Sequence, residues 1–109
     1  MKSRHYARPR PVPGQMNKTE KLYAGHLELL KKADEIKDYR FEPLNLRLAK
    51  NTFYRPDFLV ITQFIEFHEV KGHWEDDARV KIKVAAELFP WFRFIAVQYE
   101  KKQWITEAF

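Results

Sequence analysis

Apolar and aromatic residues near the start of the chain recur at the spacing of an amphipathic helix. Between Thr19 and Asp34 they fall three or four residues apart on one side of a helical wheel. These positions are Leu22, Tyr23, His26, Leu27, Leu29 and Leu30. Asn17 and Glu20 have the spacing of a capping box, in which each side chain accepts a hydrogen bond from the other residue's backbone. We therefore expect a first helix over residues 19–34.

The middle of the chain is typical of strands. Residues 39–48 alternate between apolar and polar positions, and Pro43 interrupts the alternation, which favours an edge strand or a bulge. Two apolar runs follow, Phe53–Ile61 and Phe64–Lys71, and they lie close enough in the chain to form a β-hairpin.

The last third predicts a helix and then a buried strand. Residues 75–88 carry apolar side chains at helical spacing, and Pro90 ends the helix. One apolar stripe consists of Val80, Val84 and Leu88, and Ile82, Ala85, Ala86 and Phe89 lie beside it. Residues 91–99 are strongly apolar, as expected of a central strand. Trp91 is expected in the core, and the last ten residues fit either a frayed tail or an element that closes the sheet edge.

The element order is therefore α-β-β-β-α-β. A helix between the third and fourth strands provides a crossover, so these two strands are expected to be parallel, in a right-handed unit. The sequence predicts an α/β fold whose mixed sheet is flanked by helices.

Length and composition narrow the possible function classes. A chain of 109 residues allows one domain. The absence of cysteine excludes a disulfide scaffold, a thiolate zinc site and a cysteine nucleophile. No apolar run approaches the roughly 20 residues that span a bilayer, and the N-terminus has no signal-peptide pattern. We expect a cytoplasmic protein with no membrane partner.

The net charge of +5 lies in the opening segment. Residues 1–18 contain five basic residues and no acidic residue, whereas acidic and basic residues balance over 19–109. The five are Lys2, Arg4, Arg8, Arg10 and Lys18. Three prolines and a glycine in the same segment predict a basic, Pro-rich flexible arm, followed by a single domain over 19–109. Such an arm either tracks nucleic-acid phosphates or is a solvated tail.

Two acidic residues and a lysine on the predicted hairpin have the character of a hydrolytic site. Asp57 follows Pro56, Glu69 comes twelve residues after Asp57, and Lys71 comes two after Glu69. Carboxylates are the ligands that Mg²⁺ prefers, and a lysine beside them can position water and offset charge on a phosphate. The alternatives are a local backbone bond for Asp57 and a solvated ion pair between Glu69 and Lys71.

The register of the hairpin decides whether the two carboxylates meet. A two-residue loop, Thr62-Gln63, would place His68 opposite Asp57 and turn Glu69 to the other face. A three-residue loop, Thr62-Gln63-Phe64, would place Glu69 opposite Asp57. The metal-site hypothesis therefore predicts an odd-length loop or a bulge.

Other candidate motifs are weaker. His68, Glu69 and His73 resemble a zinc-protease motif, but Gly72 stands where that helical motif needs its second histidine. We expect His68 to face away from Glu69. Lys81 and Lys83 on the second helix either contact a nucleic-acid backbone or are solvated, with Lys83 able to pair with a glutamate four residues later.

The segment Pro56-Asp57…Glu69-Val70-Lys71 resembles the signature of the PD-(D/E)XK nuclease superfamily. Residues 19–94 resemble, more closely, a family of small phage and prophage-encoded proteins assigned to that superfamily. The stretches that carry this resemblance are ELLKKADEIKDY, PDFLV, HEVKG and ARVKIKVAAELFPWFRF. The hairpin turn departs from the pattern, because relatives tend to have a longer turn that contains glycine.

The resemblance implies a restriction-endonuclease-like αβββαβ core and DNA cleavage that depends on Mg²⁺, with Mn²⁺ as a substitute. Asp57, Glu69 and the Val70 carbonyl would hold the metal, Lys71 would position the water, and Glu20 matches a further ligand unless it only caps the helix. Junction-resolving enzymes are closest in size, which suggests branched DNA such as a Holliday junction and a homodimer. The expected DNA contacts are Arg4, Arg8, Arg10, Lys18, Lys81 and Lys83. The alternative is a non-catalytic DNA-binding or recombination-accessory module.

Overall fold

The computed structural model describes residues 14–72 and 76–109, and within these ranges it contains two helices and seven strands. The helices are α1 (Lys18–Lys32) and α2 (Asp76–Leu88). The strands are β1 (Asp38–Phe41), β2 (Leu46–Ala49), β3 (Thr52–Tyr54), β4 (Phe58–Ile61), β5 (Ile65–Lys71), β6 (Arg93–Glu100) and β7 (Gln103–Ala108). The predicted arm lies largely outside the described residues, and Lys18 is the first residue of α1.

Five of the strands form one mixed sheet in the order β1-β4-β5-β6-β7. β5 and β6 are parallel, as predicted from the intervening helix, and the other neighbouring pairs are antiparallel. β2 and β3 form a separate two-stranded hairpin. The prediction of an α/β protein with a mixed sheet and two helices is therefore confirmed.

Prolines divide two of the predicted strands. The alternating stretch 39–48 becomes β1 and β2 in different sheets, with Pro43 between them and a left-handed backbone at Glu42 (φ 44°). The run Phe53–Ile61 is likewise divided into β3 and β4 around Pro56. Proline lacks the N–H that an interior strand position would donate, so the chain leaves one sheet at these points.

α1 packs on one face of the large sheet. Its capping box is formed as predicted: Asn17 Oδ1 accepts from the Glu20 amide, and Glu20 Oε1 accepts from the Asn17 amide, each at 2.8 Å. Tyr23 and Leu27 are buried against β4, β5 and β6, whereas Leu29 is 67% exposed. Only part of the apolar stripe read from the sequence therefore faces the core.

α2 packs on the other face of the sheet, together with the β2–β3 hairpin. Ile82 and Ala85 are buried in a cluster that includes Phe67 of β5 and Phe94 of β6. The two faces separate because successive side chains of a strand point to opposite sides, so Phe67 and Val70 belong to different clusters. The apolar stripe formed by Val80, Val84 and Leu88 is exposed instead of buried.

The C-terminal third differs from the prediction at both ends. β6 begins at Arg93, and Trp91 lies in the preceding turn with 76% of its surface exposed, so its expected place in the core is wrong. The ambiguous last residues form β7, which pairs antiparallel with β6 from Glu100↔Gln103 to Ile95↔Ala108. Neither described helix is long and apolar enough to cross a membrane.

The two leucines of α1 give a direct check on this packing. We expect Leu27→Ala to lower the free energy of unfolding by about 2–5 kcal/mol, because a fully buried side chain leaves a cavity. Leu29→Ala should change it by less than about 0.5 kcal/mol, since that side chain is exposed. Urea denaturation of both variants measures the difference, and equal losses would contradict the assigned face of α1.

Candidate functional site

The β4–β5 hairpin has the register that brings the two carboxylates together. Ile61 pairs with Ile65 and Phe58 pairs with His68, so the loop consists of the three residues 62–64. The prediction of an odd-length loop is confirmed. Continuing this register by one residue places Asp57 opposite Glu69, at the end of the sheet where β4 begins and β5 ends.

Asp57 is joined to the far strand by a hydrogen bond. Its Oδ2 accepts from the Val70 amide at 2.8 Å, and its own carbonyl accepts from the Glu42 amide at 2.8 Å. No hydrogen bond reaches Oδ1 from the described residues, while every fully buried polar side-chain atom there has a partner. This second oxygen of Asp57 is therefore in contact with solvent and can accept a ligand.

Pro56 leaves the Val70 carbonyl without its usual partner on β4. Continuing the register by two residues places Pro56 opposite Val70. In an antiparallel ladder every second opposed pair exchanges N–H···O bonds, and the Val70 amide, which donates toward Asp57, is oriented as in such a pair. Pro56 has no N–H to donate, and the Asp57 carboxylate takes the Val70 amide instead. A carbonyl and a carboxylate oxygen are thus presented on the same side of β5.

Glu69 is held by two side chains of different kinds. It is 8% exposed, its Oε1 accepts from the Tyr54 hydroxyl at 2.7 Å, and its Oε2 lies 3.0 Å from Lys71 Nζ. Burial and the charge of Glu69 raise the pKa of Tyr54 far above its ordinary range, so this hydroxyl remains a donor. Tyr54 was missed in the sequence, where its only signal is its place at the end of an apolar run three residues before Asp57.

Glu20 lies close enough to Asp57 to act on its charge. Burial, and then the negative charge of Glu69, raise the pKa of Asp57 to about 8, and Glu20 adds to the rise; the Val70 amide and Lys71 oppose it. Glu20 itself is buried, with Oε1 engaged in the capping box. Its capping role is therefore confirmed, and a role as a metal ligand stays a prediction.

The site has more negative than positive charge. Glu69 and Glu20 both act on Asp57 beside the ammonium of Lys71, and their negative charges add to the rise in its pKa that burial causes. An oxygen-rich, negatively charged set of this kind fits a hard divalent cation. Within residues 14–72 and 76–109, however, no three His, Asp or Glu side chains are already arranged around a common metal position. Metal binding would therefore require the carboxylates to move closer together.

Not all of the basic residues predicted to contact DNA lie at the end of the sheet that carries Asp57 and Glu69. Lys18 is there, at the start of α1. Lys81 donates to the Phe53 carbonyl at 3.3 Å, beside β3. Lys83 lies near Phe109, whose amide bonds to Phe94 at the far end of β6. Arg4, Arg8 and Arg10 lie outside the described residues, as does His73.

His68 faces away from Glu69, as predicted, and belongs to a separate buried network. Its Nδ1 lies 2.6 Å from the Tyr23 hydroxyl, and its Nε2 lies 2.8 Å from Glu66 Oε1. These contacts link α1 to β5 through the opposite face of the sheet. They contribute to the scaffold behind the carboxylates.

The raised pKa of Asp57 predicts that the free energy of unfolding of the metal-free protein falls as the pH rises. An unfolded aspartate ionises near pH 4, so raising the pH from 5 to 9 forces a charge on the folded state that it disfavours, and stability falls. In EDTA at pH 9 we expect Asp57→Asn to raise the free energy of unfolding by about 1–3 kcal/mol, because the amide can still accept from Val70.

Urea denaturation across this pH range measures the effect. Asp38→Asn is the matched control, since Asp38 is an exposed carboxylate at the other end of the sheet with a lowered pKa. Equal pH profiles for wild type and Asp57→Asn would contradict the assigned electrostatics.

Comparisons of the chain with protein-family models, with curated proteins and with solved structures find no match.

Proposed function

We propose that the protein is a metal-dependent DNA endonuclease of the PD-(D/E)XK type. The observation that carries this proposal is the hairpin register, which brings Asp57, the Val70 backbone, Glu69 and Lys71 to one end of the sheet. A solvated ion pair would not need Glu69 to be buried or held by a second donor, Tyr54. The arrangement therefore favours a functional site over a surface salt bridge.

The order of elements supports the same assignment. Taken along the chain, α1, β1, β4, β5, α2 and β6 follow the αβββαβ order of a restriction-endonuclease-like core. The β2–β3 hairpin is inserted before β4, and β7 extends the sheet beyond β6. The inserted hairpin brings Tyr54 to Glu69.

In the proposed mechanism, Asp57, Glu69 and the Val70 carbonyl hold Mg²⁺, with Mn²⁺ able to substitute. A divalent metal held there would supply Lewis-acid chemistry for phosphodiester hydrolysis. Lys71 orients the attacking water and offsets the charge that develops on the phosphate. Tyr54 fixes the orientation of Glu69, and Glu20 completes the negative charge around the ion.

The proposed substrate is DNA, with branched DNA such as a Holliday junction as the preferred form. Lys18 lies at the site end of the sheet, and the arm with Arg4, Arg8 and Arg10 would add contacts to the phosphate backbone. A dimer with two-fold symmetry would present two such sites, one for each cut.

Nuclease assays on supercoiled, duplex, single-stranded and four-way-junction DNA test this function. With Mg²⁺ or Mn²⁺ we expect cleavage by the wild type and none in EDTA. Asp57→Asn and Lys71→Ala should each lower the rate by about 100-fold or more, because each removes part of the transition-state stabilisation. Asp38→Asn and Lys31→Ala, which alter an exposed ion pair away from the site, should retain activity.

Equal cleavage by wild type, Asp57→Asn and Lys71→Ala would reject the assigned site. A gel shift without cleavage, under every metal tested, would favour the DNA-binding module instead.

The exposed stripe on α2 supports the proposed dimer. Val80, Val84 and Leu88 lie four residues apart on the side of α2 that faces away from the sheet, and the exposed Trp91 follows. A surface helix with an apolar face on both sides is unusual unless a partner covers the second face. A second copy of the chain would bury this stripe against its own equivalent.

Sedimentation measurements test the assigned dimer face. We expect Val84→Lys to raise the dimer dissociation constant by about tenfold or more, because it places a charge in the centre of the apolar stripe. Leu29→Lys, which adds the same charge to exposed α1 surface, is the control and should leave it unchanged. An unaltered dissociation constant in Val84→Lys, or a monomeric wild type, would contradict this interface.

A further inference from the structure

A cleft of about 520 Å³ lies at the same end of the sheet as the carboxylates and plays no part in the metal chemistry described above. It lies between the start of α1 and the carboxyl ends of β5 and β6. Its lining residues are Lys18, Thr19, Lys21, Leu22, Gly72 and Tyr99. The volume is in the range of sites that enclose a small ligand, and a single nucleotide would fit.

The cleft combines an aromatic wall with a basic rim. Tyr99 is 38% exposed, and Leu22 supplies further apolar surface beside it. Lys18 and Lys21 are exposed residues of the first turn of α1. A flat apolar surface beside two ammonium groups matches a nucleobase attached to a phosphate, because the base stacks on the ring while the phosphate pairs with a lysine.

The ring of Tyr99 is held in place from one side. Tyr99 pairs with Trp104 across β6 and β7, and their ring centroids are 4.7 Å apart. Trp104 in turn packs edge-on against Tyr23 of α1, with centroids 4.7 Å apart. A ring fixed in this way loses little conformational freedom when a base stacks on it, which favours binding.

The cleft lies on the α1 face of the sheet, at the same end as the proposed catalytic residues. Gly72 follows Lys71 directly, and its carbonyl accepts from the Gln98 side chain at 2.8 Å. Lys71 and Gln98 are neighbours in the parallel β5–β6 register, one residue before Tyr99. Among the described residues, a Cβ built at Gly72 meets no atom within 4 Å. A strand bound beside Lys71 would reach the cleft by passing Gly72 at the end of β5.

We propose that this cleft binds one unpaired nucleotide of single-stranded DNA, with the base on Tyr99 and the phosphate on Lys18 and Lys21. A base in a duplex has its faces covered by its neighbours and could not stack there. The protein is then selective for DNA that is single-stranded next to the cleavage point, as at the branch of a junction. This selectivity rests on the proposed nuclease function, whereas the nucleotide site itself can be tested without cleavage.

Fluorescence anisotropy in EDTA tests the site, with full-length protein and two labelled four-unit probes. One probe is oligothymidylate, and the other has the same phosphates with abasic sugars. We expect the wild type to bind oligothymidylate at least about fivefold more tightly, since base stacking on an aromatic ring supplies a gain of this size. Tyr99→Ala should lose this preference, and Tyr99→Phe should keep it.

Two further variants separate stacking from charge and from general surface effects. Lys21→Ala should lower the affinity for both probes by the same factor and reduce the salt dependence of binding. Phe64→Ala removes an exposed aromatic ring from the loop 62–64, at the opposite end of the sheet, and should change neither affinity. Circular dichroism and thermal unfolding check that each variant is folded.

Equal binding of the two probes by the wild type, or a preference that persists in folded Tyr99→Ala, would overturn the nucleotide site. A nuclease assay on the same preparations separates the two proposals. A Tyr99-dependent preference in a protein that never cleaves DNA would leave the nucleotide site in place and reject the nuclease. Cleavage of DNA by a protein without that preference would support the nuclease and reject the nucleotide site.

Discussion

The pairing of β4 with β5 in the register Phe58↔His68 is the constraint on which the candidate site depends. It is maintained by the three-residue loop and extended past the end of β4 by the hydrogen bond from the Val70 amide to Asp57. A shift of one residue would turn Glu69 to the face that packs against α1 and separate it from Asp57. Such a shift would destabilise the fold, because Phe67 and Val70 of β5 are buried in clusters on opposite faces of the sheet and would exchange faces. The core thus fixes the position of the carboxylates.

The two faces of the sheet have different roles. On the α1 face, His68 joins Tyr23 to Glu66 in a buried network that ties the helix to β5. On the α2 face, Tyr54 reaches Glu69 from the inserted β2–β3 hairpin. The capping box at the start of α1 brings Glu20 toward Asp57 from the first of these sides. The carboxylates therefore meet where both layers end, and burial there, followed by the negative charge of Glu69, raises the pKa of Asp57.

Local signals in the sequence were sufficient for much of this arrangement. The capping box depends on two residues three apart, so it could be predicted from them alone. The hairpin pattern allowed a two-residue or a three-residue loop, and the requirement that Asp57 and Glu69 meet selected the three-residue loop that the structure has. The hydrogen bond from Tyr54 to Glu69 could not be predicted, because it joins separate sheets whose contact is set by tertiary packing. The same applies to the exposure of Trp91 and of the α2 stripe. An apolar pattern does not distinguish a face that meets the sheet from one that meets a partner.

The central claim is that Asp57 belongs to a cluster of carboxylates that a divalent cation completes. Carbon-13 NMR titration of the Asp57 side-chain carboxyl, in EDTA and then in Mg²⁺, tests it most directly. We expect a midpoint near pH 8 without metal and a midpoint at least about two pH units lower with it, because the charge of the cation favours the ionised carboxylate that burial and Glu69 disfavour. A midpoint near the ordinary value of 3.8 in both conditions would contradict it.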